Sequence, residues 1–501
     1  MFMKYFLLLV IILIFFVICS LFFFKYRLRR KFFRAYILRS VSQYLAANNI
    51  NGIFSNIIIL DVADLVFKAG AKEQEKLLKS INSYNYQYLI EYVHSKNVVL
   101  GYALEAHFDF KNSKSELQKY VKTHNKDGLA LLVLALIYDK EFDYVKLRQT
   151  LKNLVLCKLN KPQKISSLVL EARIDMQDSD MLSASKKLML SIKIFKKYNL
   201  YFEEAASYVM LGEIYRISAF FDVSQTMYES AEKIYLSVSD SVRCADVKAL
   251  KGLLMIAQER FDEAKDNFSE CKKVFSKYKL NLKVAEILNQ QALICILQNK
   301  YAKASDYANK ALLIHKKYKN GQGQAFSFEL LSLVFYKQRK YEDAIKMAES
   351  AMPLYVKLKN NSGFEDASFL AAQSYFAINK YEEAENLCRS IVKVHEKRST
   401  CFHIANVYSL LGLIYIKMQD LSRATALFKQ ALNLEQCNER YSGAALDYAN
   451  LAFIEKLAGR FDNALLNLKS ALENAQKFED SKLCTLIETQ INEISQILDN
   501  K

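Results

Sequence analysis

An aromatic residue or leucine returns every 40 residues through the carboxy-terminal part of the chain: Phe221, Phe261, Tyr301, Tyr341, Tyr381, Leu421 and Phe461. Three positions after each stands a small residue (Ser224, Ala264, Ala304, Ala344, Ala384, Ala424, Ala464). Ten positions after comes a second small column, Ala231, Cys271, Ala311, Ala351, Ala431 and Ala471, broken only at Ile391. Nine positions before stand Gly212, Gly252, Ala292, Ser332, Ala372, Gly412 and Ala452. Columns seven residues apart lie two helical turns apart on one face. Polar breaks such as Gln338-Arg339-Lys340, Asn379-Lys380 and Gly459-Arg460 separate the apolar stretches. The pattern predicts one helical hairpin per period, with small residues where the two helices approach, stacked into a solenoid.

Upstream the same grammar is spelled less regularly. Leu100-Gly101, Leu104, Phe110, Ser113, Leu117 and Tyr120 fit one hairpin. A second is marked by Leu134-Ala135, Tyr138, Tyr144, Leu147, Leu151 and Leu154, and a third by Leu168, Ala172, Met181, Ala184, Leu188 and Ser191. With the seven regular periods this gives about ten hairpins. Between Val41 and Asn97 the repeat is lost; Ala47–Gly52 and Lys68–Lys72 read as turns and Ile57–Leu60 as part of a helix. At the far end Leu483, Ile487, Ile491, Ile494 and Leu498 form a single apolar stripe opposite Glu488, Asn492 and Gln496, the pattern of a terminal capping helix.

The first 24 residues differ in kind. Tyr5–Phe24 is an uncharged run of 20 residues, long enough as a helix to cross ~30 Å of hydrocarbon. Phe22, Phe23 and Phe24 stand where a signal peptide has small residues, so a retained transmembrane helix is expected. It is followed by Lys25, Arg27, Arg29, Arg30, Lys31 and Arg34, with Lys4 alone on the amino side. The positive-inside rule then puts the repeats on the cytoplasmic side, with this basic segment at the membrane surface. About half of the net charge of +17 lies here, since residues 1–60 hold eight Lys or Arg and no acid. That favours a lipid surface over nucleic acid as the polyanionic neighbour. The expected organisation is a short tail (1–4), a transmembrane helix (5–24), a basic segment (25–40), a helical linker (41–97), degenerate repeats (98–204), seven regular repeats (205–476) and a cap (477–501).

Candidate chemistry is sparse. Nine cysteines show no CxxC pairing, and Cys271, Cys295 and Cys388 fall on core columns, so neither a disulfide framework nor a zinc site is expected. The six histidines lack metal-binding spacing; His315 and His395 share a column with Tyr235, Phe275 and Tyr355 and read as half-exposed aromatics at helix ends. Gly321-Gln322-Gly323-Gln324 reads as an inter-repeat loop, without the strand that a dinucleotide fingerprint needs. No catalytic, cofactor-binding or metal-binding residues are assigned, and no enzyme is expected. A column of Lys277, Lys317, Lys357, Lys397 and Lys477 sits where helix C-termini favour positive charge; the alternative reading is a basic ridge for an acidic partner or the membrane.

The regular array resembles the tetratricopeptide repeat family. Leu411-Gly412, Tyr415, Ala424, Phe428 and Ala431 follow the family's spacing, as do Leu211-Gly212, Tyr215, Tyr228 and Ala231 with Ser224 in the alanine column. The usual unit is 34 residues; this chain uses 40. The resemblance implies an all-α, right-handed superhelix in which first helices line a concave, peptide-binding groove. By phase, Ile256, Asn289, Leu293, Ile296, Phe326, Glu329, Leu333, Tyr336, Phe369, Gln373 and Phe376 fall there. The Lys/Asn/Arg clamp of chaperone-tail receptors is missing, since Val209, Ala249, Asn289, Glu329 and Phe369 stand in its place. The asparagine ladder of motor light chains and the four-cysteine knuckle of a bacterial envelope-assembly scaffold are missing too.

The expected function is a membrane-anchored scaffold or adaptor that holds a protein or peptide partner at the bilayer, with self-association open. The alternatives are a peptide-responsive regulatory sensor and an assembly or chaperone-like factor for an envelope complex. Lys-, Asn- and Ile-rich usage fits an AT-rich bacterial genome, and hence an inner-membrane location.

Overall fold

In a computed structural model the described residues are 30, 56–82, 86–108, 110–141, 143–178, 180–237, 240–358, 360–395, 404–437 and 440–499; they form twenty-four α-helices and no strand. Tyr5–Phe24 lies outside them, as do Lys25, Arg27, Arg29, Lys31 and Arg34 and the turn expected at 47–52. Among the described residues no helix is long and apolar enough to cross a membrane. Arg30 donates from Nε to Asp64 Oδ1 at 2.9 Å and from Nη2 to Oδ2, so a residue expected to face lipid is engaged by helix Asn56–Phe67.

The chain divides into two compact units, Met1–Val284 and Ala285–Lys501. In the first, Asn56–Phe67, Ala71–Asn82 and Gln87–Lys96 precede three hairpins whose second helices start at Phe110, Tyr144 and Met181. One continuous core, running from Val62 and Leu77 through Leu104 and Leu134 to Leu170, joins these short helices. The regular array is built otherwise. Its first helices are Tyr201–Ile217, Ser241–Ala257, Asn281–Leu297, Gly321–Lys337, Asn361–Ala377, Ile404–Lys417 and Tyr441–Leu457, and its second helices start at Phe221, Phe261, Tyr301, Tyr341, Tyr381, Leu421 and Phe461. Here the core breaks into a succession of small clusters of neighbouring helices, as a solenoid requires. Helix Ser481–Asp499 closes the second unit by burying Ile487 and Ile494; Lys477 still belongs to the preceding helix, so the cap begins four residues later than expected.

The turns are as regular as the helices. Asn199, Ala219, Glu259, Lys279, Asn299, Lys319, Arg339, Asn379, Gln419, Gly459 and Glu479 all have positive φ. At the first hairpin turn Phe220 N donates to Tyr215 O at 2.8 Å and Ala219 N to Arg216 O at 3.2 Å. This is a Schellman closure, which satisfies the last carbonyls of a helix. The same pair of bonds recurs at Lys380 and Asn379, and at Asp420 and Gln419. Gly459 adopts the left-handed conformation without side-chain strain and Asn199, Asn299 and Asn379 tolerate it; at the other seven positions it costs roughly 1 kcal/mol each. The cooperative array thus imposes this geometry against local preference.

Packing explains the small column nine residues before each second helix. A Cβ on Gly212, Gly252 or Gly412 would lie 2.4, 2.7 or 2.6 Å from the rings of Tyr228, Phe268 and Phe428 respectively. Where the column holds Ala292, Ser332 or Ala372, the facing residue is Ala308, Ala348 or Cys388 instead, all fully buried. The two columns therefore trade volume: glycine faces a ring, Ala292, Ser332 and Ala372 face a small side chain, and Ala452 faces the intermediate Leu468. The glycines serve an inserted ring rather than a close approach of backbones.

Candidate functional site

Within the carboxy-terminal unit, first helices touch one another as well as their partners: Gly321–Lys337 packs on Asn361–Ala377, and Ile404–Lys417 on Tyr441–Leu457. They form a continuous layer, and the expected groove residues divide by how far that layer covers them. Ile256 belongs to the amino-terminal unit and is half-buried; the other ten belong to the carboxy-terminal unit.

Two of the ten offer no surface. Asn289 is 2% exposed and accepts a hydrogen bond from Ser327 Oγ at 3.0 Å, stitching one first helix to the next. Ile296 is 4% exposed within a core cluster. Their phase about the helix is the same as that of neighbouring groove positions, but the adjacent first helix covers them. Tyr336 and Phe376 face the turns: each ring lies 5.7 Å from the aromatic that opens the second helix, Tyr341 and Tyr381. They clasp hairpins.

Glu329 is also structural. Tyr355 Oη donates to its Oε2 at 2.6 Å, and burial pushes the carboxyl up to about 7, opposed by that hydrogen bond. The Tyr355 phenol is raised in turn, by burial and then by the carboxylate. The seam bridged by Asn289 and Ser327 has a counterpart three periods on. Ser409 Oγ donates to Asp447 Oδ2 at 2.9 Å, and burial pushes Asp447 up to about 7 with a further upward contribution from Glu435. Glu435 is itself buried, raised by burial, and 3.4 Å from Arg440 Nε.

The remaining predicted residues, Leu293, Phe326, Leu333, Phe369 and Gln373, are half-buried, and the four apolar ones pack their bodies on the core with edges accessible. Phe326 and Leu333 are seven apart and share one face. Extending their columns by whole periods finds what the sequence reading left out. Leu446 stands in the Phe326 column and is 51% exposed; Phe453 stands in the Leu333 column and is 48% exposed, with Leu457 beside it at 56%. The periodicity already contained that signal. The open apolar surface is thus most developed on the last first helix, Tyr441–Leu457.

Two readings of polar residues are corrected. His315 is fully buried, not half-exposed, and neither ring nitrogen has a hydrogen-bond partner; burial lowers its pKa. The ring occupies the space over Gly323, where a Cβ would come within 2.2 Å of it. Gly363 takes Tyr355 and Gly443 takes Glu435 in the same way. Gly321–Gln324 is the first turn of helix Gly321–Lys337 rather than a loop, and Asn320 Oδ1 caps it by accepting from Gly323 N at 3.1 Å. Lys277 and Lys317 lie in last helical turns, each over the ring of the next residue, Tyr278 or Tyr318. His395 lies in helix Tyr381–His395, with its side chain outside the described residues. No cluster of three or more potential metal ligands occurs among the described residues.

Among solved structures, the apo form of the quorum sensor NprR from B. thuringiensis is 13% identical with a TM-score of 0.48, covering 68% of this chain and 99% of that one. A signal transduction ATPase with a tetratricopeptide repeat sensor from Pyrococcus horikoshii is 14% identical with a TM-score of 0.45, over 78% and 62%. A Rap protein complexed with competence and sporulation factor is 13% identical with a TM-score of 0.41, over 75% and 99%. No curated protein matches the chain in sequence. The family comparison falls within the regular array: residues 283–356 match the model of the tetratricopeptide repeat.

Proposed function

We propose that the chain is a scaffold or adaptor that binds a protein or peptide along the first-helix layer of its carboxy-terminal unit and is held at a membrane by Tyr5–Phe24. The observation that carries the binding reading is the row of accessible apolar edges, Leu293, Phe326, Leu333 and Phe369, ending in the exposed Leu446 and Phe453. A surface of this kind suits the apolar face of an amphipathic helix or alternate side chains of an extended peptide. Tethering raises the local concentration of whatever is bound near the bilayer. The anchor, the cytoplasmic side and the bacterial inner membrane rest on the sequence pattern.

A photo-crosslinking amino acid at Phe453 tests the surface, with Leu466 as the control because it is 66% exposed on the second helix of the same hairpin. The expected result is a discrete adduct from position 453 and none from 466. Equal labelling from both, or from neither, overturns the reading. Cysteine accessibility in intact cells tests topology; labelling of the repeats from outside would reverse the orientation.

A second reading, a peptide-responsive sensor whose superhelix changes pitch, is favoured by the buried polar contact between successive hairpins at Ser409–Asp447, and by Tyr355, which bonds Glu329 of its own hairpin and enters the space over Gly363 of the next. Solution scattering with and without a bound peptide separates the two. Superimposable curves leave the scaffold.

A further inference from the structure

A cleft of about 390 Å³ opens between helices Tyr381–His395, Ile404–Lys417 and Leu421–Cys437. Its floor is apolar, formed by Val392, Leu411 and Leu427, and its rim carries Arg389, Lys393 and Arg423. No carboxylate among the described residues lines it. Three cations around an apolar floor differ from the first-helix layer described above, where the accessible edges are almost wholly apolar.

The rim is already ordered. Arg389 donates from Nε to Glu385 Oε1 at 2.7 Å and from Nη2 to Tyr415 Oη at 2.7 Å. Tyr415 Oη in turn donates to Glu385 Oε1 at 2.5 Å. Arg423 pairs through Nε with Asp420 Oδ2 at 3.1 Å, and its guanidinium carbon lies 5.5 Å from the centre of the Tyr415 ring. Tyr415 therefore holds one guanidinium at its hydroxyl and the other over its face. The contacts described for Arg389 use two of a guanidinium's five N–H donors, leaving donors for a ligand. Lys393, on the exposed side, forms no ion pair among the described residues. Glu385 and Asp420 balance two of the three rim charges, so one positive charge is left over.

We propose that this cleft binds a small organic anion with an apolar body, its head between Lys393 and the two guanidiniums and its body on Val392, Leu411 and Leu427. A cleft of this volume is within the range used for small ligands. Pre-ordered cations avoid most of the side-chain entropy that a flexible site loses on binding. A carboxylate and a phosphate monoester share the required chemistry.

The test uses the full chain in lipid nanodiscs, titrated with 2-naphthoate, 2-naphthyl phosphate and the neutral 2-naphthamide, with empty nanodiscs subtracted. Saturable 1:1 binding of at least one anion is expected, with the amide weaker by about 10-fold, the loss typical of one charge-assisted hydrogen bond. The tighter of the two anions assigns the head group. Lys393→Gln and Arg423→Gln, both at exposed positions, should each weaken the anion by about 10-fold without lowering the melting temperature. Ala426→Trp, at the cleft edge, should block it. Equal affinity for the amide and the anions, or charge variants that leave anion affinity unchanged, would overturn the proposal.

Discussion

The joints inside hairpins and the joints between hairpins solve one packing problem with different chemistry. Inside a hairpin a glycine accepts a ring, as Gly252 accepts Phe268 and Gly412 accepts Phe428, or a larger residue faces a smaller one. Between hairpins a glycine again makes the space, at Gly323, Gly363 and Gly443, but what enters is His315, Tyr355 or Glu435. The first kind of joint is governed by volume. The second also depends on where protons sit, because Glu329 and Asp447 are shifted to about 7 beside those insertions. A solenoid built this way has stiff units and proton-sensitive seams.

The strongest test of the contrast is at an inner joint. Gly412→Ala places a Cβ 2.6 Å from the Phe428 ring and should cost about 1–3 kcal/mol by overpacking. Phe428→Leu alone leaves a cavity, whereas the double variant reproduces the Ala452 and Leu468 combination of the last hairpin and should recover much of the loss. Hydrogen exchange in helix Leu421–Cys437, with denaturant melts, reads both effects; strict additivity would break the volume argument.

At the seams the effect should depend on pH. Burial raises Glu329 above its unfolded value of about 4.5, so the folded state binds the extra proton. That contribution is fully present below the unfolded value and is lost as pH rises through about 7. Glu329→Gln keeps an acceptor for Tyr355 and removes the titration. It should stabilise the chain by about 1–2 kcal/mol at pH 8 and do little at pH 4.5. Asp447→Asn should behave likewise, and parallel pH profiles for variant and parent would remove the seams' sensitivity.

His315 has the opposite sign. Burial holds its pKa below the ordinary value, so its contribution is present above pH 6.5 and lost as pH falls. His315→Phe, which places in the column the residue that Phe275 already supplies, should add about 1 kcal/mol by removing unpartnered buried nitrogens. The gain should grow on acidification; a loss of stability at every pH would mean the ring nitrogens are satisfied. The smallest effect belongs to the turns: Glu259→Gly should gain a few tenths of a kcal/mol and Gly459→Ala should lose about 1.

Much of this was legible in the sequence because volume is written in single letters. The small and aromatic columns gave the hairpins and their phase, and the stripe from Leu483 to Leu498 gave the terminal helix. Exposure was harder to read. The angle of Asn289 about its helix says that it faces sideways, not that Ser327 of the next helix will meet it. His315 could have been read better, since Gly323 stands eight residues after it, as Gly363 follows Tyr355 and Gly443 follows Glu435. The Schellman turns carried almost no signal, because a side-chain-bearing residue occupies the left-handed position in all but one of those described.

Those turns have a consequence for how such an array changes length. Because left-handed residues fall at multiples of 20 apart, excising residues 321–360 would join Asn320 to Asn361 with every later turn still in step. The new seam would set Asn289 against Ala367 in place of Ser327, losing one hydrogen bond while keeping the frame. A one-residue deletion within a helix would instead rotate all that follows by about 100°. The chain can gain or lose whole hairpins far more easily than single residues, which makes gene duplication its natural means of altering reach.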